Sequence, residues 1–97
     1  MDKVIQFSTE DRGEFTIVRF ELVSGLIEPA DLQKVHPPSV DGTKGVVLSG
    51  RGPIWLYGFL AHHYHPCKFV AAFDPRLGGG VVFESHTSEY HVGQIVK

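Results

Sequence analysis

Residues 45–54, Gly-Val-Val-Leu-Ser-Gly-Arg-Gly-Pro-Ile, constrain the fold of this 97-residue chain more than any other stretch. Residues 46–48 form a short apolar run that is typical of a buried strand. The two glycines that follow allow φ > 0 and let a ligand approach the backbone closely. Pro53 suits the first helical position, where its missing N–H would have had no partner. A strand, a glycine turn and a helix N-terminus together predict a site for a phosphate group.

The segment after this turn predicts a βαβ unit. An apolar helix begins near Pro53, extends to His63 or His65, and is ended by Pro66. Residues 68–73 then form the next strand. A strand, a helix and a second strand in this order favour a right-handed crossover between parallel strands.

The rest of the chain predicts further strands and one weak helix. Residues 3–7 and 15–22 are expected to be antiparallel strands joined by a turn-rich connection, residues 8–13. A helix is predicted over residues 27–35, a strand over 81–86, antiparallel to the one before it, and a last strand within 90–96. The predicted fold is α/β: one domain over residues 1–97, with a mixed five- or six-stranded sheet and two helices.

Composition excludes several classes of protein. The net charge is −2 with six neutral histidines, so a broad basic surface for double-stranded DNA is not expected. Cys67 is the only cysteine, so neither a disulfide framework nor a cysteine zinc cluster can form. We find no signal-peptide core and no apolar run long enough for a membrane, which favours a cytoplasmic location. The seven Phe, three Tyr and one Trp leave enough apolar surface for a homodimer interface.

Two loops follow the carboxyl ends of the predicted parallel strands, residues 49–52 and 74–76, and are expected to be spatial neighbours. Asp74 would bind a metal or orient a histidine, and Arg76 would neutralise phosphate. The alternative is turn chemistry, because aspartate in Asp-Pro-x-x-Gly commonly accepts backbone hydrogen bonds. In the first loop, Ser49 would donate to phosphate or cap the helix, and Arg51 would supply a guanidinium group.

The histidines form a second set of candidates. His62, His63 and His65 lie at the end of the predicted helix, and His86 lies at the end of a strand beside Glu84. Histidine suits proton transfer near neutral pH. A helix C-terminus also stabilises charged histidine, so capping or surface roles are the alternative. Spacing does not decide which of the three helix-end histidines would act.

Four strings in this sequence resemble the third family of CRISPR-associated ring nucleases, within the Rossmann-like superfamily of CRISPR nucleotide-sensing (CARF-like) domains. They are Ser-Gly-Arg-Gly-Pro-Ile-Trp-Leu at 49–56, Leu-Ala-His at 60–62, Phe-Asp-Pro-Arg-Leu-Gly at 73–78 and Glu-Ser-His at 84–86. The resemblance covers residues 44–96 well and the first forty residues in outline.

The resemblance implies a function. Such proteins cleave cyclic tetra-adenylate, the second messenger of type III CRISPR defence, into linear di-adenylates and so switch the response off. They form dimers that pair into tetramers around the ligand, and Mn²⁺ supports their activity. A manganese-dependent trimming of RNA 3′ ends (deadenylation) has also been attributed to the family, and a non-catalytic module that binds cyclic oligoadenylate or short RNA is a further alternative.

The resemblance also implies site residues. His65, Asp74 and Arg76 would carry the chemistry, with Asp74 as the metal ligand. The ligand-binding residues would be Ser49, Gly50, Arg51, Gly52 and His86. An internucleotide linkage supplies its own nucleophile, the ribose 2′-OH, so these groups need only move a proton and stabilise charge on phosphorus.

Overall fold

Six strands form one mixed sheet in the order in which they occur in the chain. The computed structural model describes residues 3–97. The elements are β1 (Ile5–Asp11), β2 (Phe15–Leu22), a 3₁₀ helix (Pro29–Lys34), β3 (Gly45–Ser49), α1 (Ile54–His63), β4 (Phe69–Asp74), β5 (Gly79–Ser85) and β6 (Ile95–Val96). The predicted α/β class, the six-stranded mixed sheet and the two helices are confirmed.

The three central strands are parallel and the outer ones are antiparallel. β2 pairs with β3, and β3 with β4, in parallel, while β1, β5 and β6 each run antiparallel to their neighbour. The predicted parallel βαβ unit from β3 through α1 to β4 is therefore confirmed. The carboxyl ends of β2, β3 and β4 meet at one edge of the sheet, and the loop from β4 to β5 lies at that edge as well.

One face of the sheet carries the helices. Leu56 and Leu60 of α1 are fully buried against this face, and Leu32 of the 3₁₀ helix packs there too. Tyr64, just after α1, is also buried, and its hydroxyl donates to the carbonyl of Pro38 at 2.6 Å. Burial raises the pKa of Tyr64 to about 12, so the hydroxyl keeps its proton. These contacts fix α1 along the sheet, with its start at the carboxyl edge.

The opposite face has a smaller apolar cluster and no helix within residues 3–97. Its buried members are Phe15, Val47, Phe69, Ala71 and Val82. Phe73, on the same face as Ala71, keeps 41% of its surface exposed. The architecture is thus two-layered, and the strand order does not reverse as it does in doubly wound sheets.

Several predicted boundaries were wrong. β1 extends through residues 8–11, which the sequence assigned to a turn. These polar residues belong to the outermost strand, where they continue the pairing with β2. The predicted helix over 27–35 is only a 3₁₀ helix, and the last strand contains just two residues. The assignment of residues 1–97 to one domain stays a prediction, and residues 1–2 lie outside the described part. Within residues 3–97, no helix has the length and apolar character needed to cross a membrane.

Candidate functional site

The predicted phosphate turn lies at the carboxyl edge of the sheet, between β3 and α1. Pro53 is the N-cap of α1 with extended backbone, φ −67° and ψ 157°, so the helix starts one residue later than predicted. The N–H of Leu56 donates to the carbonyl of Pro53 at 3.0 Å. The N–H groups before it have no partner inside the helix, because the first turn of any α-helix leaves its donors free. The turn therefore keeps backbone N–H groups that are free to donate hydrogen bonds to an anion.

The two glycines of the turn are required by packing rather than by backbone angle. Neither has a positive φ, so the expectation that they use this freedom was wrong. A Cβ at Gly50 would lie 2.4 Å from the carbonyl oxygen of Phe20, and one at Gly52 would lie 2.9 Å from a methyl group of Leu56. Because both glycines lack a Cβ, the turn can lie directly on the aromatic ring of Phe20 in β2.

Tyr57 holds the turn in place from the helix. Its hydroxyl donates to the carbonyl of Gly50 at 2.6 Å and accepts from the N–H of the same residue at 3.1 Å. Burial raises the pKa of Tyr57, so the hydroxyl keeps the proton that it donates. The Gly50 N–H is already bonded and is not one of the free donors.

A cleft of about 330 Å³ lies beside this turn. Arg51 lines it, together with the apolar side chains of Leu22, Leu26 and Trp55. Trp55 is 37% exposed. The cleft combines a guanidinium group with an aromatic surface, the combination that binds nucleotides through phosphate and base.

Asp74 and Arg76 lie at the same edge, on the neighbouring strand. Leu48 of β3 pairs with Ala72 of β4, so Asp74 lies level with the residue after β3, as the sequence predicted for the two loops. The Asp74 carboxylate accepts the backbone N–H of Arg76 at 2.9 Å, and its carbonyl accepts two further N–H groups of the turn. The Arg76 guanidinium is 3.9 Å from this carboxylate and its side chain is 82% exposed. The Asp74 side chain therefore stabilises the turn, and the Arg76 guanidinium is exposed at the same place.

A second cluster lies at the opposite edge of the sheet. His65 follows α1, and its Nδ1 contacts Oε2 of Glu84 near the end of β5. The same oxygen is 3.3 Å from Nε2 of His86. The two imidazole rings meet edge to face, with centroids 4.8 Å apart. Sequence reasoning named both histidines but did not assign Glu84 a role, although Glu-x-His on a strand places both side chains on one face.

A β-bulge in β5 brings this cluster to the helix face. The register changes so that Ala71 pairs with Val82 but Val70 pairs with Glu84, which leaves Phe83 as the extra residue. Val82 belongs to the face without helices, and Val70 belongs to the helix face. Because cross-strand partners share a face, Glu84 lies on the same side as the end of α1.

The structure does not bring all predicted catalytic residues together. Glu84 pairs with Val70, and Asp74 lies four residues further along β4, about 13 Å at the usual strand rise. His65 and His86 belong to the Glu84 edge, whereas Arg76 and the phosphate turn belong to the Asp74 edge. His62 and His63 are exposed, and His63 packs against the ring of Tyr64. One chain therefore does not join His65 to Asp74.

The two edges differ in how well they would hold a metal ion. Within residues 3–97, one group of three His, Cys, Asp or Glu side chains has its ligand atoms within 4.8 Å of one another: His65, Glu84 and His86. Asp74 is not part of such a group and offers a single carboxylate. A metal at Asp74 would need oxygens from a bound ligand, and the assignment of Asp74 as a metal ligand stays a prediction.

Together these features define a two-layered mixed α/β domain with the predicted phosphate turn at one sheet edge and a histidine–glutamate cluster at the other. A family model described as CRISPR-associated protein (Cas_csx3) matches residues 20–97. The chain thus belongs to the Csx3 family of CRISPR-associated proteins. It is also 48% identical over 101 residues to a protein of Aquifex aeolicus (strain VF5) described as uncharacterized, covering 99% of this chain and 90% of that protein.

Proposed function

We propose that this protein is a ring nuclease that cleaves cyclic tetra-adenylate to linear di-adenylates and thereby switches off a type III CRISPR response. The arrangement of residues at the carboxyl edge of the sheet supports this proposal most. There the Ser49–Gly52 turn and the Asp74–Arg76 turn lie on adjacent strand ends, and Arg51 of the first turn lines the cleft of Trp55. This edge offers phosphate donors and an aromatic surface next to each other, as a ligand made of repeated adenylates requires.

The proposed chemistry needs few groups. The ribose 2′-OH attacks the adjacent phosphorus and its proton passes to an imidazole. A 2′,3′-cyclic phosphate forms as the bond from phosphorus to the 5′-oxygen breaks, and the 5′-oxygen takes a proton from water. His65 would transfer the proton, and the guanidinium groups of Arg51 and Arg76 would stabilise the charge on the phosphoryl oxygens. Asp74, together with oxygens of the bound ligand, would hold Mn²⁺, which prefers carboxylate and phosphate oxygens.

The proposal requires more than one copy of the chain at each site. His65 and Asp74 lie at opposite edges of the sheet, so a ring bound at the Asp74 edge would meet His65 of another copy. Homodimers that pair into a tetramer would supply this arrangement. The exposed Phe73 on the face without helices supports a twofold partner there. Membership of the CARF-like superfamily and a cytoplasmic location belong to the same proposal.

A second candidate is a binding module that holds cyclic oligoadenylate without cutting it. The separation of His65 from Asp74 within one chain favours it, because a lone chain or a dimer closed through other surfaces would bind phosphate at one edge only. Such a protein would act as a sensor or as a store for the messenger.

The first experiment incubates the protein with cyclic tetra-adenylate and Mn²⁺ and separates the products by chromatography. We expect linear di-adenylates from the wild type, and a rate at least about 100-fold lower from the His65→Ala, Asp74→Ala double variant, the usual scale for losing a proton-transfer group. His62→Ala is the matched control and should keep the wild-type rate.

Three other outcomes would contradict this assignment or favour another function. Full turnover by the double variant would overturn the assignment of these residues. Tight binding with the ring recovered intact would favour the binding module. Shortening of linear poly-A at a rate above ring cleavage would favour the manganese-dependent 3′ exonuclease.

A further inference from the structure

We propose that the outer edge of β1 binds an extended segment of another protein, which adds to the sheet as an antiparallel strand. The segment carries apolar side chains at alternate positions, flanked by acidic ones. The inference stands on the backbone and the charges along β1. It does not rest on the proposed nuclease activity, whose residues lie outside this strand.

Half of the backbone groups of β1 point away from the sheet. The carbonyl of Val4 accepts the N–H of Val23 at 2.9 Å, in register with the pairing of β1 and β2. At the other end of the strand, the N–H of Arg12 donates to the carbonyl of Phe15 at 2.8 Å. Because antiparallel strands exchange hydrogen bonds at every second residue, the even-numbered residues of β1 bond to β2. The N–H and C=O groups that point outward belong to the odd-numbered residues Ile5, Phe7, Thr9 and Asp11.

This edge lacks the features that usually prevent further pairing. Within residues 3–97, β2 is the one strand that pairs with β1. Proteins block an exposed edge with proline, charged side chains, bulges or very short strands. Residues 5–9 contain neither proline nor a charged side chain, and β1 pairs with β2 over seven residues without a register shift. β1 therefore offers an open template for a further strand.

A groove of about 630 Å³ runs beside this edge. The consecutive residues 3–7 line it, together with the end of the 3₁₀ helix. Successive side chains of a strand point to opposite faces, so a groove lined by all of them follows the edge itself. On the helix face, Ile5 and Phe7 pack against the core, and the buried Val35 lines the groove with them. An added strand would place every second side chain over this apolar floor, because cross-strand partners share a face.

The rim of the groove is positively charged. Lys3, Lys34 and His36 line it, and all three are exposed. Neither lysine forms a salt bridge with another residue of the range 3–97. The carboxylate of Asp31, which also lines the groove, accepts the backbone N–H of Glu28 at 2.8 Å. In a chain with a net charge of −2, this local positive rim favours a segment with acidic side chains.

A second copy of β1 does not provide these acidic groups, because both carboxylates of the strand are already paired. Asp11 contacts the ammonium group of Lys44 at 2.9 Å, and Glu10 contacts the guanidinium group of Arg19 at 2.7 Å. The hydrogen bonds from these cations lower the pKa of both carboxyl groups. The occupant that fits the charges of the groove is therefore a different segment, with free carboxylates.

The same residues of the added strand would provide both affinity and selectivity. A strand opposite Ile5, Phe7 and Thr9 would exchange both backbone hydrogen bonds with each of them. Its residues at these positions would also face the groove, so apolar side chains are expected there and acidic ones at the two ends. We assign the antiparallel direction because parallel pairing is slightly less stable per residue.

The test mixes the full chain with a labelled peptide, Glu-Thr-Val-Thr-Val-Thr-Glu, that is blocked at both ends. Fluorescence anisotropy measures the affinity, and amide NMR shifts locate the contact. We expect saturable binding with a Kd below about 1 mM and shifts centred on β1. Lys3→Glu and Lys34→Glu should each weaken binding at least about tenfold through charge repulsion. The matched control is Lys97→Glu, which lies by the groove on the face without helices and should bind as the wild type does.

N-methylation of the peptide separates strand pairing from charge attraction. Methyl groups on the backbone nitrogens of the valines remove donors that face β1, so binding should be lost. Methyl groups on the nitrogens of the threonines alter donors that face away, so binding should be kept. An equal loss in both peptides would overturn the proposed pairing, as would no binding of the unmodified peptide or equal affinity for a peptide with lysine in place of glutamate.

Sedimentation of the Thr9→Pro variant tests whether a second copy occupies the edge. This change removes an outward N–H and no hydrogen bond to β2, which suits proline on an edge strand. We expect the same oligomer as in the wild type, together with weaker binding of the peptide. A smaller oligomer in the variant would overturn the proposal, because the occupant of the edge would then be another copy of this chain.

Discussion

At the residue scale, Gly50 illustrates how a correct position can be predicted for the wrong reason. The sequence pattern placed Gly50 in the turn for its freedom to adopt positive φ and for the close approach that it allows a ligand. The structure gives it an ordinary φ and places the backbone and ring of Phe20 where a Cβ would be. Sequence cannot reveal this, because the contact is made by a residue thirty positions away on another strand.

We predict that Gly50→Ala destabilises the protein by about 1–3 kcal/mol, the usual cost of forcing a side chain into a packed contact. The matched control is Gly58→Ala, since a Cβ at this position in α1 meets nothing within 4 Å. This control should raise stability by up to about 1 kcal/mol, because alanine is the better helix former.

Urea unfolding of both variants measures the difference. A Gly50→Ala variant as stable as the wild type would contradict the packing described for the turn. Equal destabilisation of both variants would mean that the steric contact with Phe20 is not the cause.

At the scale of elements, the β-bulge explains why the histidine–glutamate cluster was only half predicted. Regular alternation along β5 would have put Glu84 on the face of Val82, away from α1. The extra residue reverses this, and apolar patterning alone did not identify it, because Phe83 fits a regular strand as well as Val82 does. Sequence reasoning therefore identified both histidines but not the Glu84 carboxylate that both of them contact. The strands, in contrast, were predicted well wherever β-branched and aromatic residues were dense, as in β2.

Deletion of Phe83 tests the role of the bulge. Removing the extra residue should leave Glu84 opposite Val70 in a regular strand, so the chain should fold and keep the contacts of Glu84 with His65 and His86. Deletion of Ser85 should instead bring His86 opposite Phe69 and turn it to the other face, with loss of its contact with Glu84.

The NMR shifts of the His86 imidazole, compared with and without a Glu84→Gln substitution in each deletion variant, measure this contact, and far-UV circular dichroism is the folding control. If Glu84→Gln leaves the His86 shifts unchanged in the folded Phe83 deletion but alters them in the Ser85 deletion, the bulge does not determine which face these side chains occupy.

At the scale of the whole molecule, the topology separates the two candidate sites. α1 carries the chain from the phosphate turn to the opposite edge, so every residue near its end, including His65, lies away from Asp74. Sequence reasoning correctly placed residues 49–52 beside 74–76, because both follow adjacent parallel strands. Sequence reasoning grouped His65 with these two loops through the family resemblance. A resemblance does not say which copy of the chain supplies a residue.

The central claim is that ring cleavage joins His65 of one copy to Asp74 of another. The most direct test mixes two single variants, His65→Ala and Asp74→Ala, each inactive alone, and measures conversion of cyclic tetra-adenylate. Sites that combine an intact His65 with an intact Asp74 should form in the mixture and restore about a quarter of the wild-type rate, as random assembly of symmetric subunits predicts. If the mixture forms mixed oligomers yet stays as inactive as its components, a site shared between copies is contradicted.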